Sequence, residues 1–411
     1  MSSPAARDRE IDAALLLDRA VVDEPYAFYR RLLAEAPVWC IPGSAIVVVS
    51  SFAAVSEVVA RTDDFSSNLR ALLYRGPRDT PELLPFDVGI QTLATADPPA
   101  HTAHRRTVFP ELVARRMAAL RPEVEALARE YLSRALAKPA FEAMTELANA
   151  IPIRIVSGLI GFSAADPERL LAAAFDSTDM IAATRPLEEV HAAMARTAEV
   201  MGWISDQLQN AIDHGADGIL GAMGMGVTDR SLEFGDGLAI LHTLLSAGGE
   251  STTSLLGNAI HVLARDQDLQ ARLRTRPALV EPFIEEVLRL ESPFRHHLRH
   301  VPRATELHGV PIDAGSTLLL LWGAANRDPA EYDRPDEMVL DRPSPKHHVA
   351  FGRGIHFCVG APLARLEARV VLDALLAHTE HFALDPDRRP VRVDSLMVRR
   401  FASLPLVATM R

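Results

Sequence analysis

From about residue 106 to residue 220 the chain is nearly continuous Ala/Leu/Glu/Arg-rich sequence, interrupted only near Pro139, across 161–167 and at Arg185-Pro186. Those residue types favour helix, and the Gly and Pro interruptions end helices. A longer helical pattern covers 237–265. Another covers 279–290 and stops at Glu291-Ser292-Pro293, and a last one covers 360–378. Strand-like runs are few: 38–49 with a Pro42-Gly43 turn inside it, 298–308, 316–322 and the C-terminal tail. They do not alternate one for one with the helices, which excludes a doubly wound or barrel α/β fold. A mainly α, helix-rich single domain over 1–411 with small β-sheets is what remains. The first strong helix-start signal is Asp23-Glu24-Pro25, so residues 1–22 read as an N-terminal extension.

Hydrophobic residues make up 48% of the 411 positions and charged residues 24%, enough apolar surface for a packed core rather than disorder. A formal charge of -11 is a poor match to general nucleic-acid binding. The two cysteines, Cys40 and Cys358, make no disulfide framework, which fits a reducing compartment. The apolar run 318–325 is far short of the ~18 residues a bilayer span needs. With no signal-peptide pattern at the N-terminus, a cytoplasmic protein without a membrane span is expected.

The most informative ten residues are Phe351-Gly-Arg-Gly-Ile-His-Phe-Cys358-Val-Gly360. Cys358 stands just before a helix start, where unpaired amides and the positive dipole end favour a thiolate. Gly360 removes a side chain where a flat partner could lie. Taken alone, Cys358 reads equally as a buried structural cysteine in a tight turn. The whole stretch, however, resembles the Cys loop of the cytochrome P450 family, Phe-x-x-Gly-x-x-x-Cys-x-Gly: Phe351, Gly354, Cys358 and Gly360 fill every fixed position. The resemblance implies the P450 fold, with haem between the long central helix and the Cys-loop helix. It implies Cys358 as the axial thiolate of the iron, with Phe351, Gly352 and Gly360 around the cofactor. Thiolate ligation pushes electron density onto iron and favours O–O cleavage. The chain has no Cys-x-x-Cys-His, so the haem expected is the non-covalent b type.

Other segments carry the same resemblance. Glu286 and Arg289 sit three apart on one helix face, where they can pair. The resemblance implies a buried structural triad with Arg342 of Asp341-Arg342-Pro343. His101 and Arg105, in Asp97-Pro-Pro-Ala-His-Thr-Ala-His-Arg105, share a face. With Arg299 and His356 they are implied as partners of the haem propionates, a role the Arg fork suits. A zinc reading of His101 and His104, or of His347 and His348, lacks a further ligand cluster at usable spacing.

Ser246-Ala-Gly-Gly-Glu-Ser-Thr-Thr253 lies inside the long helix. Adjacent glycines there cost about 2 kcal/mol relative to alanine. No packing demand for so weak a spot is visible in the pattern; a groove for oxygen would supply one. A break between two helices is the plainer alternative. The segment resembles the family's Ala-Gly-x-(Asp/Glu)-Thr. That implies Ala247 and Gly248 against the cofactor and Glu250 with Ser251 organising proton delivery. Serine stands where threonine is usual: it keeps the hydroxyl but loses the methyl that restricts the rotamer. Thr252, one step round the helix, is not expected to substitute for it.

Substrate contacts in this family vary, and here the corresponding stretches are 65–95, 164–193, 294–298 and Met397-Val398. Thr243, Phe294, Arg295, His297, Met397 and Val398 are the candidate substrate residues. Phe294-Arg-His-His-Leu298 is polar for such a place. If Arg295 or His297 points inward, an anionic or hydrogen-bonding substrate follows; if they face outward or bond backbone, it does not. Arg105, Arg106, Arg115, Arg116, Lys346 and Arg353 could form one basic face suited to an acidic ferredoxin-type donor with its reductase. No flavin domain fits in this length. The expected activity is monooxygenation: one atom of O2 enters a small organic substrate, catalysed by a monomer with an external electron supply. The rival is a haem-thiolate binding or sensing protein without turnover. A Cys358/His hydrolase explains neither the glycine pair nor the Glu-x-x-Arg segment.

Overall fold

The computed structural model describes residues 11–86, 89–162 and 165–411. The first ten residues of the expected extension, positions 87–88 of the first substrate stretch and Ala164 of the second lie outside it. The elements that build the site are, in chain order, strands β1 (Val38–Cys40) and β2 (Ile46–Val49), helices α1 (Ala100–Val108), α2 (Ala150–Ile160), α3 (Pro167–Asp179), α4 (Phe234–Ala264) and α5 (Val280–Leu290), strands β3 (His297–His300) and β4 (Thr317–Leu320), and helix α6 (Ala361–His378). The helical pattern at 237–265 is thus one uninterrupted helix, α4, about 46 Å long at 1.5 Å per residue.

Helix α4 is the axis of the core. Ile240, Leu241, Leu245, Leu255, Leu256 and Leu263 are all at most 1% exposed. A helix apolar on so many sides must be enclosed, and α2, α3, the helix Leu187–His214 and α6 all pack on it. The sheet order β1-β2-β4-β3 gives the second layer. β2 runs parallel to β4, with Ile46 opposite Thr317 and Val49 opposite Leu320, while β3 closes the edge antiparallel, Arg299 opposite Leu318. All residues of β2 and β4 are buried, as central strands with both faces covered require.

Two expectations change here. Residues 11–22 are part of the folded body: Asp12 and Asp18 cap a 3-10 turn (Ala13–Leu16) and a short helix (Arg19–Asp23). Ile11, Leu16 and Leu17 join the cluster formed by Phe28, Tyr29 and Trp39. The strand expected over 298–308 is two strands, His297–His300 and Thr305–Leu307. Pro302 lies between them and has no N–H to give to a ladder. Among the described residues, no helix is long and apolar enough to cross a membrane.

Candidate active site

Between α4 and the loop leading into α6 lies a cavity. Ala247, Gly248, Ser251 and Thr252 form one wall; Phe351, Cys358, Gly360 and Leu363 form the other. The loop is shaped by Gly352 and Gly354, both left-handed at φ +67° and +69°. A side chain at Gly354 would also lie 3.1 Å from the Val59 carbonyl oxygen. The Cys358 amide donates to the Phe351 carbonyl at 2.9 Å, which folds the loop back on itself. The sulfur opens into the cavity. Burial pushes its thiol above the ordinary value. The Gly360 and Ala361 amides at the start of α6, with Arg105 and Arg365, pull the other way.

Two adjacent carboxylates of α5 hold the surroundings of the loop, Glu286 the 326–342 segment before it and Glu285 the loop's own flank. Glu286 and Arg289 are 0% and 1% exposed. Arg289 donates to both Glu286 oxygens, at 2.7 and 2.9 Å, and to the carbonyls of Asn326, Pro335 and Glu337. Arg342 Nε reaches the same carboxylate at 3.0 Å. Glu285 turns to the other side. It takes Arg365 through two bonds of 2.7 and 2.8 Å and His348 Nε2 at 3.0 Å. Arg365 in turn covers the Phe351 ring, 4.5 Å from its centroid. Glu285 escaped the sequence reading because its partners are 63 and 80 residues away.

At the cavity's edge, donors outnumber acceptors. Arg299 is 7% exposed and donates to the Leu298 carbonyl at 2.7 Å; burial lowers it to about 10. Arg105 donates to the carbonyls of Ile355 and Phe357 at 3.0 and 2.9 Å. Among the described residues no carboxylate bonds either guanidinium. His101 is buried with Nε2 unpartnered and packs against His356, the ring centroids 4.3 Å apart and the planes tilted by 55°. Unpaired buried donors and cations call for acceptors. A flat group bearing two carboxylates, with a metal facing Cys358, fits this donor set. His104 Nε2 lies 3.3 Å from Asp236, and His347 and His348 turn to Glu331 and Glu285, so neither histidine pair converges on a metal.

Several candidates stand elsewhere than the sequence suggested. Glu250 does not face the cavity: its carboxylate pairs with Arg400 Nε at 2.9 Å and accepts from the Thr178 hydroxyl of α3. Successive helix residues are about 100° apart, so when Ser251 faces the cavity Glu250 faces α3. Burial raises the Glu250 carboxyl, with Arg400 opposing. Ser251 and Thr252 both reach the wall, and the Ser251 hydroxyl donates to the Ala247 carbonyl at 2.6 Å. The glycine pair does answer a packing demand. A Cβ at Gly248 would lie 2.6 Å from Val156 Cγ2, and one at Gly249 3.1 Å from Ile153 Cδ1. Helices α2 and α3 approach too closely for side chains there.

On the substrate side, Thr243, Phe294 and His297 line the cavity. Arg295 does not: it is buried against the backbone carbonyls of Val22 and Ser395. Met397 and Val398 are buried behind Phe294, Val398 bridging its backbone, and are absent from the wall. Trp322 Nε1 donates to His297 Nδ1 at 2.6 Å. Burial, then Arg299, lowers His297 to about 3, so it is neutral with its proton on Nε2. The reading also missed Glu367 of α6, which lines the cavity with Oε2 unpartnered and is raised by burial to about 8. Of the proposed basic face, Arg105 turns inward and Lys346 is paired with Glu281 at 2.9 Å, while Arg106 and Arg115 are exposed.

Comparison with known proteins agrees with this geometry. The sequence profile of the cytochrome P450 family matches residues 277–405. Cytochrome P450 144 of Mycobacterium tuberculosis is 38% identical over 399 residues, 96% of this chain and 91% of that protein. The beta-dihydromenaquinone-9 omega-hydroxylase of the same organism is 31% identical over 366 residues, 88% of this chain and 72% of that one. Among solved structures, CYP109E1 from Bacillus megaterium in complex with testosterone superposes with a TM-score of 0.85 at 25% identity, covering 95% of this chain and 99% of that one. Full-length identity at this level, with the matching fold, makes the chain a member of the cytochrome P450 family.

Proposed function

We propose that the chain is a haem-thiolate monooxygenase, with haem b in the cavity and Cys358 as its axial ligand. The observation that carries this is the opposition across one cavity of the Cys358 sulfur and the Ser251 wall of α4, edged by Arg105, Arg299 and His356, with His101 packed against His356. When bound, thiolate-ligated haem supplies activation of O2 with two external electrons, one oxygen atom passing to substrate and the other to water. The chain's own part is positional. Arg299 and Arg105 neutralise the carboxylates, His101 and His356 add donors, and the α6 amides stabilise the thiolate. Ser251 holds an exchangeable proton at the wall, where the Thr252 hydroxyl also stands. The wall near Leu93, Ala94, Leu244 and Phe294 is apolar, which suits a small organic substrate. An external ferredoxin-type donor with its reductase supplies the electrons, approaching near Arg106 and Arg115.

The turning away of Glu250 favours a second reading, a haem-thiolate protein that binds ligands without turnover. Two measurements test the haem and its ligand, and a third decides between the readings. Acid–acetone should strip all colour from the protein, and Cys358→Ala should abolish the red-shifted band of the ferrous carbon monoxide complex. Retention of that band excludes Cys358 as ligand. Substrate-dependent NADH consumption with a ferredoxin system, with product formed, separates monooxygenase from sensor.

A further inference from the structure

Beyond the Glu286 triad, α5 sends a second buried carboxylate toward the Cys loop, and its chain of contacts ends at the Cys358 amide. Glu285 is 0% exposed and uses both oxygens on Arg365. His348 accepts the Ala350 amide on Nδ1 at 3.2 Å, so its neutral ring carries the proton on Nε2 and donates it to Glu285. The Phe351 ring then meets both the Arg365 guanidinium, 4.5 Å from its centroid, and the His348 ring, whose centroid is 5.9 Å away. Phe351 in turn accepts the amide of Cys358 through its carbonyl oxygen. Arg365, with Arg105, is also among the positive charges that act on the Cys358 sulfur.

We propose that Glu285 is a positioning residue for Cys358: through Arg365 and His348 it fixes Phe351, and it offsets part of the Arg365 charge felt at the sulfur. Glu285 and Arg365 thereby set the electron affinity of the metal centre bound there. The inference rests on Cys358 being the axial ligand. Its two halves separate cleanly. A purely structural bracket, when broken from either side, disturbs the centre in one direction. An electrostatic pair moves it in opposite directions.

The test is a reduction titration of the haem-loaded protein, wild type against Glu285→Gln and Arg365→Gln. Glu285→Gln leaves the Arg365 charge uncompensated near the sulfur, so the midpoint moves to more positive potential. Arg365→Gln removes the nearer positive charge, whether Glu285 then stays ionised or takes a proton, so the midpoint moves to more negative potential. Arg365→Lys keeps the charge and falls between wild type and Arg365→Gln. In each Gln variant the fraction of ferrous carbon monoxide complex with the red-shifted band also falls, as Phe351 loses its cover. Midpoints that move the same way, or do not move, overturn the proposal. If Glu285→Gln yields no haem-loaded protein, the two Arg365 variants decide by the sign of their shifts. A wild-type protein with no red-shifted band would instead sink the haem-thiolate reading itself, before any variant is made.

Discussion

Gly248→Ala is the substitution whose sign separates two accounts of the glycine pair. If the glycines serve only to leave a groove toward the cavity, alanine repairs a helix and stabilises it by about 0.8–1.0 kcal/mol. The structure says otherwise, because the new methyl would lie 2.6 Å from Val156 Cγ2 and 3.3 Å from its Cβ. Val156 sits inside α2 and is 6% exposed, and a β-branched residue in a helix has one strongly preferred rotamer. Relief therefore requires either an unfavourable rotamer or a shift of α2 against α4. Overpacking of this kind costs about 1–3 kcal/mol, which exceeds the propensity gain over most of its range. The expected net is a loss of about 0–2 kcal/mol. For a chain of 411 residues 1 kcal/mol moves the melting midpoint by only about 1 °C, so urea unfolding is the better assay. Val156→Ala supplies the control. Alone it opens a cavity and destabilises; combined with Gly248→Ala it makes room for the methyl, so the pair costs less than the sum of the singles by about 1–3 kcal/mol. Stabilisation by Gly248→Ala alone, or additive costs, refutes the packing account.

Glu286→Ala and Arg289→Ala should each give little or no haem-loaded soluble protein. Breaking a buried pair costs about 3–5 kcal/mol out of a typical ~5–15 kcal/mol, and near-normal unfolding of either variant contradicts this. Ser251→Ala should leave haem content and substrate-induced spectral shifts unchanged while product per NADH falls and peroxide rises, whereas Ser251→Thr keeps coupling. Full coupling in Ser251→Ala together with its loss in Thr252→Ala would assign the role to the neighbouring hydroxyl. Glu367 is raised from 4.5 to about 8 in the folded chain, so the folded state holds a proton that the unfolded state releases. Its effect is thus a loss of stability as pH rises from about 4.5 to about 8. Glu367→Gln should accordingly gain on wild type across that window, by at most about 1.4 kcal/mol per pH unit. A gain that is the same at every pH would show that the carboxyl finds a partner.

The parts of this structure that sequence discloses are those in which cause and effect lie close together along the chain. The shape of the Cys loop follows from glycines four and six residues before Cys358, and the Glu286–Arg289 pair from one helical turn. Glu250 shows the limit: its neighbour Ser251 lines the cavity, but which face of α4 meets α3 depends on packing. The partners of Glu285, the burial of residues 11–22 and the escape of Arg295 to the Val22 and Ser395 carbonyls all depend on contacts across long separations. No periodicity encodes those. The Gly248-Gly249 pair was legible as unusual but not as explained, because its reason is on another helix.

The parallel pairing of β2 with β4 also has a temporal side. Ile46 is made about 270 residues before Thr317, its partner across the sheet. At ~5–20 residues per second that is a wait of roughly 15–50 s. During it the segment Ile-Val-Val-Val has only the three-residue strand β1 beside it, leaving one apolar edge open to any other strand. The growing chain must keep that edge covered, by transient burial in its own helices or by a chaperone. Production of this protein at high concentration is therefore limited first by association of nascent chains, before the stability of the finished fold matters.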